Sequence, residues 1–141
     1  MSYFDDDLQY FFSQNSIQHY KLDRKLHDYY TKSLNQAIPF NGSTPDWSKF
    51  KKHLTMSVGD INIAINNLSS LISDLNNSTA IVLGDSLLDE AYLVDTIELG
   101  LYLGALAEIP QNSYVFPENL DWIIFITSYG DIHFGQALNL N

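Results

Sequence analysis

Asp85-Ser-Leu-Leu-Asp-Glu-Ala-Tyr-Leu-Val-Asp-Thr-Ile-Glu-Leu-Gly-Leu-Tyr-Leu-Gly-Ala-Leu-Ala-Glu108 is the stretch on which the fold assignment turns. At 100° per residue, Leu93, Val94, Ile97, Gly100, Leu101 and Gly104 share one face. Ala91, Asp95, Glu98 and Tyr102 fall on the far side, at i, i+4, i+7 and i+11. Ser86 followed three residues later by Asp89 matches the acid variant of a capping box. Pro110 closes the element. The spacing predicts one long helix over 85–108, with a broad apolar face and a narrow acid-and-tyrosine stripe. Gly100 and Gly104 each cost about 1 kcal/mol of helix propensity, and close approach to a sheet is the reason expected for them.

Upstream, Ala80-Ile-Val-Leu83 is a short β-branched apolar run and predicts a buried strand. Ile61, Ile65, Leu68, Ile72 and Leu75 recur at helical spacing behind Asp60, a candidate cap. Thr44 as N-cap and Pro45 at the first helical position predict a short helix presenting Trp47, Phe50 and Leu54. Residues 5–38 read as mainly helical: a short helix carries Leu8, Phe11 and Phe12, and a second runs from about Ser16 until Pro39 stops it. Downstream, strands are expected at Asn112–Phe116, Asp121–Thr127 and Ile132–Phe134, the last two joined by a Ser128–Asp131 turn. The expected architecture is one α+β domain over residues 1–141. Its N-terminal half is helical, and one long helix packs on a small, mainly antiparallel sheet.

All seven Lys and Arg residues lie before His53. The remaining 89 residues hold eleven acids and the longer apolar runs. Such a segment must fold, and its surface must then be almost purely anionic. A net charge of −10 opposes unaided binding to nucleic acid or anionic membrane, because phosphate contacts want Lys or Arg. It favours a positively charged partner reached by steered association. With 45% hydrophobic residues the chain is globular rather than disordered. With no cysteine, disulfides and thiolate metal sites are excluded. No apolar run reaches the roughly 18 residues of a membrane span. The N-terminus lacks the basic and apolar regions of a signal peptide, so a cytoplasmic location is expected.

Chemistry-bearing motifs are few. The four histidines, His19, His27, His53 and His133, show no metal-ligand spacing, and no cofactor or metal is expected. Asp5-Asp-Asp7 reads as a solvated helix start. Carboxylates beside tyrosines match a Lys/Arg-rich cleft, since Tyr buries area with little entropy to lose. The residues expected to bind a partner are therefore Asp85, Asp89, Glu90, Asp95, Glu98, Tyr102, Tyr129 and Asp131.

Two stretches resemble known families. Ile81-Val-Leu-Gly-Asp-Ser-Leu87 resembles the first block of the GDSL hydrolases, which implies Ser86 as nucleophile. The family's Asp-x-x-His block has only Asp131-Ile-His133 as counterpart, one residue short, and Gly-x-Asn-Asp is missing. Only 55 residues follow Ser86, too few for that family's core. Leu120-Asp-Trp-Ile-Ile-Phe-Ile-Thr-Ser-Tyr-Gly-Asp-Ile-His-Phe-Gly135 resembles the C-terminal segment of small bacterial immunity proteins against contact-dependent growth inhibition toxins. That resemblance implies a cytoplasmic, non-enzymatic protein that binds and neutralises a cognate basic toxin domain, often a nuclease. The alternatives are a small serine hydrolase using Ser86 and His133, or a DNA-mimicking inhibitor of a host enzyme.

Overall fold

A computed structural model describes residues 2–42, 44–56, 63, 66–68, 70, 78–97 and 99–138. Nine strands are described: β1 (His19–Lys21), β2 (Phe40–Asn41), β3 (Thr44–Pro45), β4 (Phe50–Met56), β5 (Thr79–Gly84), β6 (Tyr92–Asp95), β7 (Ser113–Phe116), β8 (Trp122–Ile126) and β9 (Ile132–Leu138). Three helices have described bounds: α1 (Tyr3–Gln14), α2 (Arg24–Ala37) and α3 (Leu99–Ala107). Residues 63, 66–68 and 70 are also helical, but most of the helix expected over 61–75 lies outside the described residues.

Seven strands form one antiparallel sheet in the order β1-β6-β5-β7-β8-β9-β4. Both faces are covered. Ala80, Val82, Tyr92, Val94, Val115, Trp122, Ile124, Ile126, Ile132 and Phe134 face α1 and α3. Ile81, Leu83, Ala91, Tyr114, Phe116, Ile123 and Phe125 face α2 through Tyr30, Leu34 and Ile38. A sheet buried on both sides wants apolar residues at every position, which is why β5, β7 and β8 read as unbroken hydrophobic runs. The strands expected at 80–83, 112–116, 121–127 and 132–134 are all in this sheet, with β9 extended to Leu138.

The expected helical half and long helix are not what forms. The stretch 85–108 divides into a loop over 85–91, strand β6, a turn and the nine-residue α3. Tyr92-Leu-Val94 has strong β propensity, and β6 fills the place between β1 and β5. Inserting a strand resets the helical phase. The buried face of α3 is Leu99, Tyr102, Leu103 and Leu106, while Ile97 and Leu101, assigned inward by the 85–108 wheel, are 82% and 49% exposed. Gly104 has open space where a Cβ would stand, so close packing does not explain it.

Both sheet edges come from the N-terminal half. The helix expected from Ser16 is interrupted by β1, and α2 starts only where the Asp23 side chain accepts the Leu26 N–H at 2.9 Å. Pro39 then ends it as expected. The helix expected from Thr44 is absent: Thr44–Pro45 pairs with Phe40–Asn41, one 3₁₀ turn spans Trp47–Lys49, and β4 follows. Short or lysine-bearing strands are typical of sheet edges, where charge discourages further pairing.

Gly135 is required by packing. A Cβ there would stand 2.7 Å from Trp47 Cζ3 and 2.8 Å from Phe50 Cδ1. Gly135→Ala is expected to lower the unfolding free energy by about 1–3 kcal/mol, the range for overpacking. Urea denaturation followed by tryptophan fluorescence measures it, and an unchanged midpoint would show that the two rings yield freely.

Candidate functional site

The loop over 85–91 leaves β5 at Gly84 and re-enters the sheet at Tyr92, and it is fastened by two buried polar side chains. Asp5, in the first turn of α1, is fully buried. Its Oδ2 accepts from Ser2 N at 3.1 Å and Asp89 N at 2.8 Å. Its Oδ1 accepts from Glu90 N at 3.1 Å and the Tyr92 hydroxyl at 2.7 Å. Ser2 Oγ lies 2.6 Å from both Asp5 Oδ2 and the Leu87 carbonyl, and its one proton serves either. Burial pushes the Asp5 carboxyl pKa up, but the hydrogen bonds from Ser2, Tyr92 and Asp89 outweigh it, and the net effect is a lowered pKa. The expectation that Asp5 is a solvated helix start is corrected: the carboxylate fills the α1 cap and clamps a loop 84 residues away.

Gln111 is the second fastening, 2% exposed. Its Oε1 accepts from Ser86 N at 3.3 Å, Leu87 N at 2.7 Å and Leu88 N at 3.1 Å. Its Nε2 donates to Ser113 Oγ at 3.1 Å. A Cβ on Gly84 would stand 2.2 Å from Gln111 Nε2, so glycine is what lets the amide enter. The amide thus uses both its oxygen and its nitrogen, as buried polar groups require.

The same geometry bears on Ser86. It caps no helix. Its hydroxyl donates to Asp85 Oδ1 at 3.2 Å, and the amide after it is engaged by Gln111. Gly84, Ser113, Ile126 and Ile132 are successive cross-strand partners on β5, β7, β8 and β9. At a strand spacing of about 4.8 Å, Gly84 and Ile132 are roughly 14 Å apart, with Ser86 beyond the end of β5 and His133 inside β9. Ser86 and His133 form no dyad.

The expected partner-binding residues separate into two groups. Asp85, Asp89, Glu90, Tyr129 and Asp131 lie at one end of the sheet. Asp85 Oδ1 accepts from Asn112 N at 3.1 Å, and Asn112 Oδ1 accepts from Ser128 N at 3.1 Å, which ties the 85–91 loop to the Tyr129–Asp131 turn. Tyr129 is 88% exposed. Asp6 and Asp7 of α1 add exposed carboxylates at the same end. Among the described residues the one ion pair is Arg24–Asp28, at 3.9 Å on α2, so none of the rim carboxylates makes a direct ion pair with a described Lys or Arg.

The other group is elsewhere. Asp95 pairs with Thr79 at the opposite end of β6 and accepts from Ile97 N at 2.9 Å. Tyr102, expected on the surface, is fully buried with its ring edge-on to Phe12 at 5.8 Å. Its hydroxyl has no hydrogen-bond partner among the described residues, and burial together with Asp95 pushes its pKa up. Glu98 lies outside the described residues.

Beside Asp85 opens a cleft of about 670 Å³, between the C-terminal turn of α2 and the ends of β5 and β7. Leu34, Ile38, Phe40, Leu83 and Tyr114 line it. Burial and the neighbouring Asp85 push the Tyr114 pKa up to about 12, so the phenol stays neutral. Asp5, Gln111 and the cleft were missed by sequence reasoning. Ser2-x-x-Asp5 is legible as a capping box, but its long-range bonds have no local signal. Among the described residues no group of three or more His, Cys, Asp and Glu side chains is placed to hold a metal ion, and no helix is long and apolar enough to cross a membrane. No protein-family model matches the sequence, and no curated protein matches it significantly.

Proposed function

We propose that this chain is an immunity protein that binds and neutralises a cognate toxin domain through a basic surface on that domain. The observation that carries the reading is the acidic rim: Asp85, Asp89, Glu90 and Asp131 on one end of the sheet, unpaired with any described Lys or Arg, and held by Asp5 and Gln111. A binding loop fixed before encounter loses little conformational entropy on association. Contiguous anionic charge speeds the encounter and selects a cationic surface. The adjoining cleft, apolar with Asp85 at its rim, suits the alkyl stem and charged head of one Lys or Arg. Occlusion follows from the same fit, because a basic nuclease surface covered by carboxylates has no cations left for phosphate.

The test is protection. The chain is co-expressed with the toxin domain that the proposal expects a neighbouring gene to encode, and growth and complex formation on size exclusion are measured. Wild type and Ser86→Ala are both expected to restore growth and to form a stoichiometric complex. Loss of protection in Ser86→Ala, with folding unchanged and an esterase activity abolished, would transfer the function to the hydrolase reading. Absence of any complex would overturn the proposal.

A further inference from the structure

The β4–β9 edge of the sheet carries a second constellation, which begins two residues past the Asp131 end of the acidic rim. Thr55 stands directly opposite His133, and His53 stands opposite Gly135. His53 and Thr55, two positions apart on β4, and His133 on β9 project from the same face. His53 Nε2 lies 3.2 Å from His133 Nδ1, and Thr55 Oγ1 lies 3.2 Å from each of them. Three donor atoms thus form an equilateral triangle on the surface. Trp47 backs it: its indole lies parallel to His53, at 4.5 Å and 4°, and to His133, at 5.3 Å and 10°. Gly135 seats that indole, since a Cβ there would collide with it.

We propose that His53, His133 and Thr55 form a surface site for a first-row transition-metal dication, with Cu²⁺, Ni²⁺ and Zn²⁺ as the fitting class. Metal–imidazole bonds run about 2.0–2.1 Å, so two nitrogens 3.2 Å apart subtend about 100° at a shared ion, close to the tetrahedral angle. Imidazole is the ligand these metals favour. Two imidazoles make the strong bonds, and the Thr55 hydroxyl is the weaker third oxygen. His53 and Thr55 are solvent-exposed on an edge strand, which leaves the remaining positions for water. The stacked Trp47 restrains both rings before the ion arrives, so little side-chain freedom is lost on binding. The site needs nothing from the acidic rim, and it stands or falls separately from the proposed function.

Trp47 also supplies the readout. Titrating the full chain with Cu²⁺ at neutral pH is expected to give saturable quenching of tryptophan fluorescence, with Zn²⁺ binding at the same site by calorimetry. His53→Gln and His133→Gln are each expected to weaken binding at least about tenfold, the scale of losing one ligand interaction. Thr55→Val is expected to have a smaller effect, and His27→Gln on α2 none. His53 is exposed, so its variant is tested with the fold intact even where His133→Gln perturbs packing. Quenching that does not saturate below about 1 mM would overturn the proposal and leave a hydrogen-bonded triad only. Saturation unchanged in His53→Gln would overturn it equally, by placing the ion on surface carboxylates.

Discussion

Asp5→Asn is expected to lower the unfolding free energy by about 3 kcal/mol, and Asp6→Asn, one residue further on the exposed side of α1, by less than about 0.5. The contrast follows from what the two carboxylates touch. Asp5 accepts from two backbone amides of the 85–91 loop, from Ser2 and from Tyr92, all in a site closed to water. Asparagine keeps the shape but offers one acceptor oxygen and turns an NH₂ toward donors. A buried N–H facing another donor costs its desolvation, and charge-assisted bonds are worth about 1.5–3 kcal/mol each.

The pH dependence has a definite sign. The folded-state pKa of Asp5 is lowered, so its contribution is complete above the unfolded value, near 3.9, and is lost as pH falls through the folded pKa. Urea titrations of wild type and Asp5→Asn at pH 7 should therefore differ widely, and the gap should close in acid. Equal losses from Asp5→Asn and Asp6→Asn, or a gap unchanged down to about pH 2.5, would show that Asp5 is not the ionised clamp.

The second large effect concerns the rim. Asp89→Lys with Glu90→Lys is expected to weaken the complex with the toxin domain by about 100-fold, since like charges across an interface cost several kcal/mol. It should also invert the salt dependence, because added salt then relieves repulsion. The fold should survive, because the Asp89 and Glu90 backbone amides, not their side chains, bind Asp5. Asp95→Lys is the control at the opposite end of β6 and is expected to change affinity less than about threefold. Equal weakening by both variants would mean that overall charge, not this rim, governs binding. Isothermal titration at two salt concentrations separates the cases.

The legible parts of the molecule are those where local chemistry and tertiary burial agree. Trp122–Ile126 could be assigned as a central strand because it is apolar at every position, and both of its faces are covered. The Pro39 stop depends only on backbone sterics, and it holds. His19–Lys21 and Phe50–Met56 have no such signal. They became strands because β6 and β9 present backbone groups that need partners. The stretch 85–108 misled because its apolar residues fit a helical period as a whole, whereas the chain changes period within it. The error carried into the site: a helical wheel joined Asp95, Glu98 and Tyr102 into one stripe, and the change of period left Asp95 at a sheet end and Tyr102 in the core.

By itself the sequence determined the charge of this protein, the segregation of its cations before His53, the apolar runs that had to be buried and four of the C-terminal strands, β5, β7, β8 and β9, but not β6. These are additive properties, set by residue type and by neighbours a few positions away. Only the tertiary structure decided which carboxylates share a surface, that Asp5 serves the loop rather than the solvent, and that His53 meets His133. Those pairings span 80 residues or more. They depend on strand order and register, which no local pattern encodes, because they are fixed when the whole sheet buries both of its faces at once.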